Sequence, residues 1–153
     1  MATRPITFPG GLDQPLDARL ELPASGRPRA WALFAHCFTC GKNIRAAVSI
    51  TRALSRLGIA VVRFDFTGLG ESTGEFAETT FSSNVEDVVA AARFMEREHG
   101  APSLLVGHSL GGAAVLHAAA ALPSVRAVAT IGAPSDPSHV LRHLSGSIEE
   151  IEE

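Results

Sequence analysis

No apolar run in the chain approaches the ~18–20 residues that a helix needs to cross a bilayer, so a helical membrane span is excluded from the sequence as it stands. The opening Met1-Ala2-Thr3-Arg4-Pro5 lacks the apolar stretch of a secretory signal, and the expected location is the cytoplasm. Cysteine is scarce as well. Two in 153 residues are too few for a disulfide framework. Basic charge is short and dispersed: thirteen Lys and Arg stand against sixteen Asp and Glu, a net charge of −3, with no cluster suited to nucleic acid or an anionic membrane surface. Nucleotide signatures fail on inspection. Gly68-Leu69-Gly70 with Gly74 misses Gly-x-Gly-x-x-Gly by one residue, and Glu71 would repel a pyrophosphate. Gly41-Lys42 is followed by Asn43 and has no glycine five residues before it, so it is not a P-loop. Neither cofactor nor metal is expected.

What is present is a chain 46% hydrophobic and 19% charged, long enough for one domain with a real core. Ile6-Thr7-Phe8 and Leu16 to Leu22 read as strands of an N-terminal hairpin, with Gly10-Gly11 and Asp13 between them. Trp31 to Ala35 is a continuous apolar run, as in a strand buried on both faces. Ile44, Ala47, Val48, Thr51, Leu54 and Leu57 then recur at helical spacing, closed by Gly58. A strand follows over Ile59 to Phe66. Ser83-Asn84-Val85-Glu86 reads as a capping box opening a helix with Val85, Val88, Val89, Ala92 and Met95 inward, stopped by Gly100 and Pro102. Strands at 103–106 and 125–131 flank a further helix ending at Leu122-Pro123. Alternation of this kind predicts an α/β fold, a mostly parallel sheet flanked by helices.

The most informative stretch is Leu104-Leu105-Val106-Gly107-His108-Ser109-Leu110-Gly111-Gly112. A buried strand runs into Gly-x-Ser-x-Gly and then an alanine-rich helix. Such a turn lifts its serine above the end of the sheet, beside the first free N–H groups of a helix. Gly107 and Gly111 are the positions where side chains would clash. A capping serine in a glycine-rich turn would explain Ser109, but not the glycines on both sides of it. Ligands gather beyond the carboxyl ends of parallel strands, so residues 36–43, residues 67–76 and this turn are expected to converge. Where such an elbow serves a hydrolase, its oxyanion hole takes one backbone N–H from the first loop and one from the residue after the serine. Here those are Phe38 and Leu110, each worth about 3–4 kcal/mol to a developing oxyanion.

Phe34-Ala35-His36-Cys37-Phe38, Arg63-Phe64-Asp65-Phe66-Thr67-Gly68-Leu69-Gly70-Glu71-Ser72 and Gly107 to Gly112 together resemble the α/β-hydrolase superfamily. With Phe81-Ser82-Ser83-Asn84-Val85, the first two blocks are most similar to the hydrolase half of bacterial proteins fused to an OsmC-like (osmotically inducible protein C) domain. The resemblance implies that Ser109 is the nucleophile and that Phe38 and Leu110 are the oxyanion donors. It also implies that His36 shapes the first loop and that the substrate is a small ester, thioester or amide. His108 occupies a variable position of the motif and is expected to pack beside the elbow, with a base role as the alternative.

One feature departs from that family. Its acid and histidine follow the nucleophile on later loops, whereas only 44 residues follow Ser109 (153 − 109). Each further βαβ unit needs about 30 residues, so the expectation is an incomplete single domain over 1–153. Its cap would begin near Pro134, its last strands would be missing, and the edge at Val125–Ile131 would be left open to association. Asp136 with His139 or His143 has the right order, but the three-residue spacing suits one helical turn better than a dyad. His117 is expected to pack or lie at the surface, and Asp65 to brace its turn through backbone N–H groups. Cys37-x-x-Cys40 is read first as structural packing. Thiol or redox chemistry is the alternative, and zinc with His36 would lack a fourth ligand. A non-catalytic α/β module is the remaining alternative to a hydrolase.

Overall fold

A computed structural model describes residues 2–136 of the chain. The fold is the expected α/β arrangement, with six strands in the order β1-β2-β4-β3-β5-β6. β1 (Ala2–Pro9) and β2 (Pro15–Leu22) form the N-terminal hairpin. Asp13 takes the left-handed conformation its turn needs, φ 56°. β2 lies antiparallel to β4 (Ile59–Phe64), after which the sheet is parallel: β4 with β3 (Ala30–Ala35), β3 with β5 (Leu104–His108), and β5 with β6 (Ala127–Ile131). Helices α1 (Arg45–Arg56), α2 (Phe81–Glu98) and α3 (Leu110–Ala119) cover the two faces.

Alternation along the central strands divides the core. Leu33 and Ala35 of β3, Val62 and Phe64 of β4 and Leu105 of β5 face α2 and α3, packing with Val88, Met95 and Val115. Ala32, Phe34, Val61 and Val106 face the other way, toward Ala47 of α1. Both sides of β3 are therefore buried, which is why its sequence is an unbroken apolar run.

Two local expectations shift. The capping box belongs to Thr80, not Ser83: the Thr80 side chain accepts from Ser83 N–H at 3.1 Å, and Ser83 Oγ accepts from Thr80 N–H at 2.9 Å. Ser83 is thus the third residue of a helix that starts at Phe81, and it serves the box from the other end. Leu57 is not part of the inward stripe. α1 ends at Arg56, Leu57 is its C-cap with φ −83° and ψ 8°, and the side chain is 61% exposed. Gly58 follows at φ 81° and donates to Ser55 C=O, the helix stop the sequence indicated. Among the described residues β6 has a neighbour on one side alone, and Ile131 at its end is 45% exposed. The cap expected from Pro134, beyond Asp136, and residues 147–153 lie outside the described residues.

Candidate active site

Ser109 sits between β5 and α3 with φ 51° and ψ −118°. Backbone in such a sparsely populated region costs of order 1–3 kcal/mol and persists only when its surroundings impose it. Here they do. Ser109 N–H donates to Ile131 C=O at 2.8 Å, and Ser109 C=O accepts from Ala113 N–H at 3.2 Å, so the end of β6 and the first turn of α3 hold the bend from both sides. A Cβ on Gly107 would strike the backbone of Gly111 and Gly112, and one on Gly111 would strike the carbonyls of Ala35 and His36. These contacts show how tightly α3 is pressed onto the carboxyl end of β3, where the first loop departs. The Ser109 side chain makes no capping hydrogen bond and is half-buried, so a capping role does not account for it.

The first loop begins with His36, fully buried. Its Nδ1–H donates to Cys37 C=O at 2.6 Å, and its Nε2 accepts from Phe66 N–H at 3.4 Å. Only the neutral ring can do both. Burial pushes its pKa below the usual 6.5, against the opposing pull of the Cys37 carbonyl and Asp65. His36 therefore ties the first loop to the second. Phe38 does the same with its ring, edge-on to Phe76 at 4.6 Å.

The strongest tie is one the sequence reading missed. Lys42, the chain's single lysine, is fully buried at its side chain. Its Nζ meets Asp65 Oδ2 at 2.6 Å, Glu71 Oε2 at 2.6 Å and Asp17 Oδ1 at 2.7 Å. Burial works against the charge, but the bonds to Asp17, Asp65 and Glu71 outweigh it and raise the pKa above 10.5. Asp65 also accepts from the backbone N–H groups of Lys42 at 2.6 Å and Glu71 at 3.0 Å, the bracing role expected of it. A Cβ on Gly70 would collide with that carboxylate. Arg19, paired with Asp17 at 2.7 Å, completes the cluster.

A second buried carboxylate was also missed. Asp87 of α2 accepts from Gly11 N–H, Thr67 N–H and the Thr67 hydroxyl, at 2.9, 2.9 and 3.1 Å, and so fastens the hairpin turn and the second loop to one helix. Burial raises its pKa despite those bonds. The signal was present: Asp87 stands on the same helical stripe as Asn84, Val88, Ala91 and Met95, where a charge must have partners.

Cys37 and Cys40 are bonded to each other. The histidine beside them is His108 and not His36: one His108 ring nitrogen lies within 4.8 Å of both sulfurs, and its Nδ1 is buried without a hydrogen-bond partner among the described residues. His36 has both nitrogens engaged elsewhere, which removes the Cys37-Cys40-His36 zinc arrangement considered from sequence. His117 is exposed, its ring edge-on to Phe81 at 5.1 Å. Asp136 lies just beyond β6, and His139 and His143 fall outside the described residues. No helix among the described residues is long and apolar enough to cross a membrane.

Residues 26–148 match the family described as serine aminopeptidase, S33. Mouse mitochondrial palmitoyl-protein thioesterase ABHD10 is 40% identical over 86 residues, 56% of this chain and 28% of its own length. Human monoglyceride lipase is 32% identical over 101 residues, 65% of this chain and 33% of its own. Among solved structures, the esterase domain of a Rhodothermus marinus protein superposes with a TM-score of 0.76 at 53% identity, covering 94% of this chain and 55% of that one. The matched stretch thus spans a third or less of these two curated relatives.

Proposed function

Because the chain belongs to the serine aminopeptidase S33 family of α/β-hydrolases, we propose that it carries the nucleophile half of an acyl-transfer site acting on small esters or thioesters. The observation that carries this reading is the imposed backbone of Ser109, a half-buried residue at the end of β5 with glycine on each flank. Ser109 Oγ attacks the substrate carbonyl. The oxyanion is received by the N–H groups of Phe38 and Leu110, one from each of the two segments packed together at Gly111. The choice of ester or thioester follows the relatives, whose names specify a thioesterase, a lipase and an esterase.

A general base is the remaining requirement. Among the described residues, none makes a hydrogen bond to Ser109 Oγ. Where no base reaches Ser109, turnover of an activated ester is expected near the residual 10³–10⁴ over water that an oxyanion hole and binding sustain without a full triad.

The test is covalent labelling with a fluorophosphonate probe, whose reaction draws on the Ser109 hydroxyl and the oxyanion pocket, runs slowly without a base, and needs no deacylation. Wild type labels at Ser109, and Ser109→Ala does not. Equal labelling of both proteins would refute the assignment. Ester turnover near that of an intact hydrolase would show that a base is supplied within these 153 residues.

A further inference from the structure

The first loop is anchored at both ends but not in its middle. Upstream, Cys37 C=O is held by His36 Nδ1–H at 2.6 Å. Downstream, Lys42 N–H and Nζ are both fixed to Asp65 at 2.6 Å. Between those points, Phe38, Thr39 and Cys40 have few ties among the described residues. They comprise a turn hydrogen bond from Cys40 N–H to Cys37 C=O at 3.2 Å, the ring contact of Phe38 with Phe76, and the bond between the two sulfurs. The sulfur–sulfur bond is the covalent one, and the ring it closes contains Phe38. Next to it stands His108, the residue before Ser109, with an Nδ1 that has no partner among the described residues and one ring nitrogen within 4.8 Å of both sulfurs.

We propose that Cys37 and Cys40 are a reversible thiol–disulfide pair that positions the Phe38 amide, so that their redox state sets how fast Ser109 is acylated. This rests on the reading of Phe38 N–H as an oxyanion donor. The oxidant is a low-molecular-weight disulfide such as glutathione disulfide. Cys40, the less buried of the two, gives its proton to His108, and its thiolate attacks one sulfur of the oxidant. That sulfur–sulfur bond breaks and one glutathione thiolate leaves. The Cys37 thiolate then attacks Cys40 Sγ and expels the second. Two protein thiols are oxidised, one glutathione disulfide is reduced to two thiols, and the two protons end on the departing glutathione sulfurs. Reduction runs the same steps backward.

With the bond closed, the amide is held; with it open, residues 38–40 lose their covalent tie while His36 and Lys42 keep the flanks in place. Loss of one oxyanion donor costs about 10²–10³ in rate, so partial loss of its alignment is expected to slow labelling about tenfold or more.

The experiment uses the full chain, poised with glutathione disulfide or reduced with a phosphine and then desalted. Free thiols are counted by maleimide mass shift, and fluorophosphonate labelling is timed on the same samples. The expected result is two free thiols and slow labelling after reduction, none and fast labelling after oxidation. The Cys37→Ala, Cys40→Ala double variant should label at the slow rate under both conditions. Equal labelling rates in samples whose thiol counts differ would overturn the gate alone. Thiols that stay free under oxidant would also overturn it. No labelling in either state would overturn the serine assignment, and the gate with it.

Discussion

Replacing Lys42 with methionine removes the cation from the centre of three carboxylates while keeping most of the apolar stem. Stranding a partner of a buried ion pair costs about 3–5 kcal/mol, and the surroundings decide where in that range this site falls. Glu71 is 58% exposed and Asp17 26%, so water compensates both and each contributes at most about 1 kcal/mol. Asp65 is the exception at 2% exposure. It keeps two backbone N–H donors, from Lys42 and Glu71, which offset part of the loss. The low end of the range, about 3 kcal/mol, is the expected destabilisation. For a chain of this size each kcal/mol moves Tm by about 2–4 °C, so thermal unfolding followed by circular dichroism should show a drop of about 6–12 °C. Because the folded pKa of Lys42 lies above its ordinary 10.5, the stabilisation is fully present below that pH. It is lost as the pH rises through the folded value. The gap between wild type and Lys42→Met should therefore hold steady from pH 7 to about 10 and narrow above. Adding Asp65→Asn to Lys42→Met removes the stranded charge and should recover part of the loss. A Tm change under about 2 °C, or a double variant less stable than the sum of the single ones, would refute the argument.

His36 gives the opposite pH dependence. Its folded pKa is depressed below 6.5 by burial, so its contribution is whole above pH 6.5 and is lost as the pH falls through that value toward the folded pKa. Urea midpoints should decline between pH 7 and 5.5 in wild type and decline less in His36→Asn; identical slopes would count against a buried neutral ring. Gly111→Ala drives a methyl into two backbone carbonyls that cannot move aside, so it should exceed the 1–3 kcal/mol of ordinary overpacking and abolish probe labelling. Gly26→Ala is the control: its Cβ meets nothing, and only the φ of 67° is strained. A soluble, probe-reactive Gly111→Ala protein would show that α3 is not pressed onto β3 as described.

Local chemistry carried much of this protein in the sequence itself. The strands, the helix stop at Gly58 and the glycine-flanked serine were legible because each is decided within a few residues, by periodicity or by the steric demands of one turn. Where the signal was ambiguous over two or three positions, as between Thr80 and Ser83 or at Leu57, the helix end moved by that much. The assembly of the loops was decided elsewhere. Nothing in its local sequence marks Lys42 as buried; parallel pairing of β3 and β4 brings Asp65 and Glu71 to it, and antiparallel pairing of β2 brings Asp17. Asp87 needs Gly11, 76 residues away, before its burial makes sense. His108 stands by Cys37 and Cys40 because β5 lies next to β3 and ends at the same level. Charges and imidazoles act over a few ångströms in space, and only strand order and register fix which distant residues come that close.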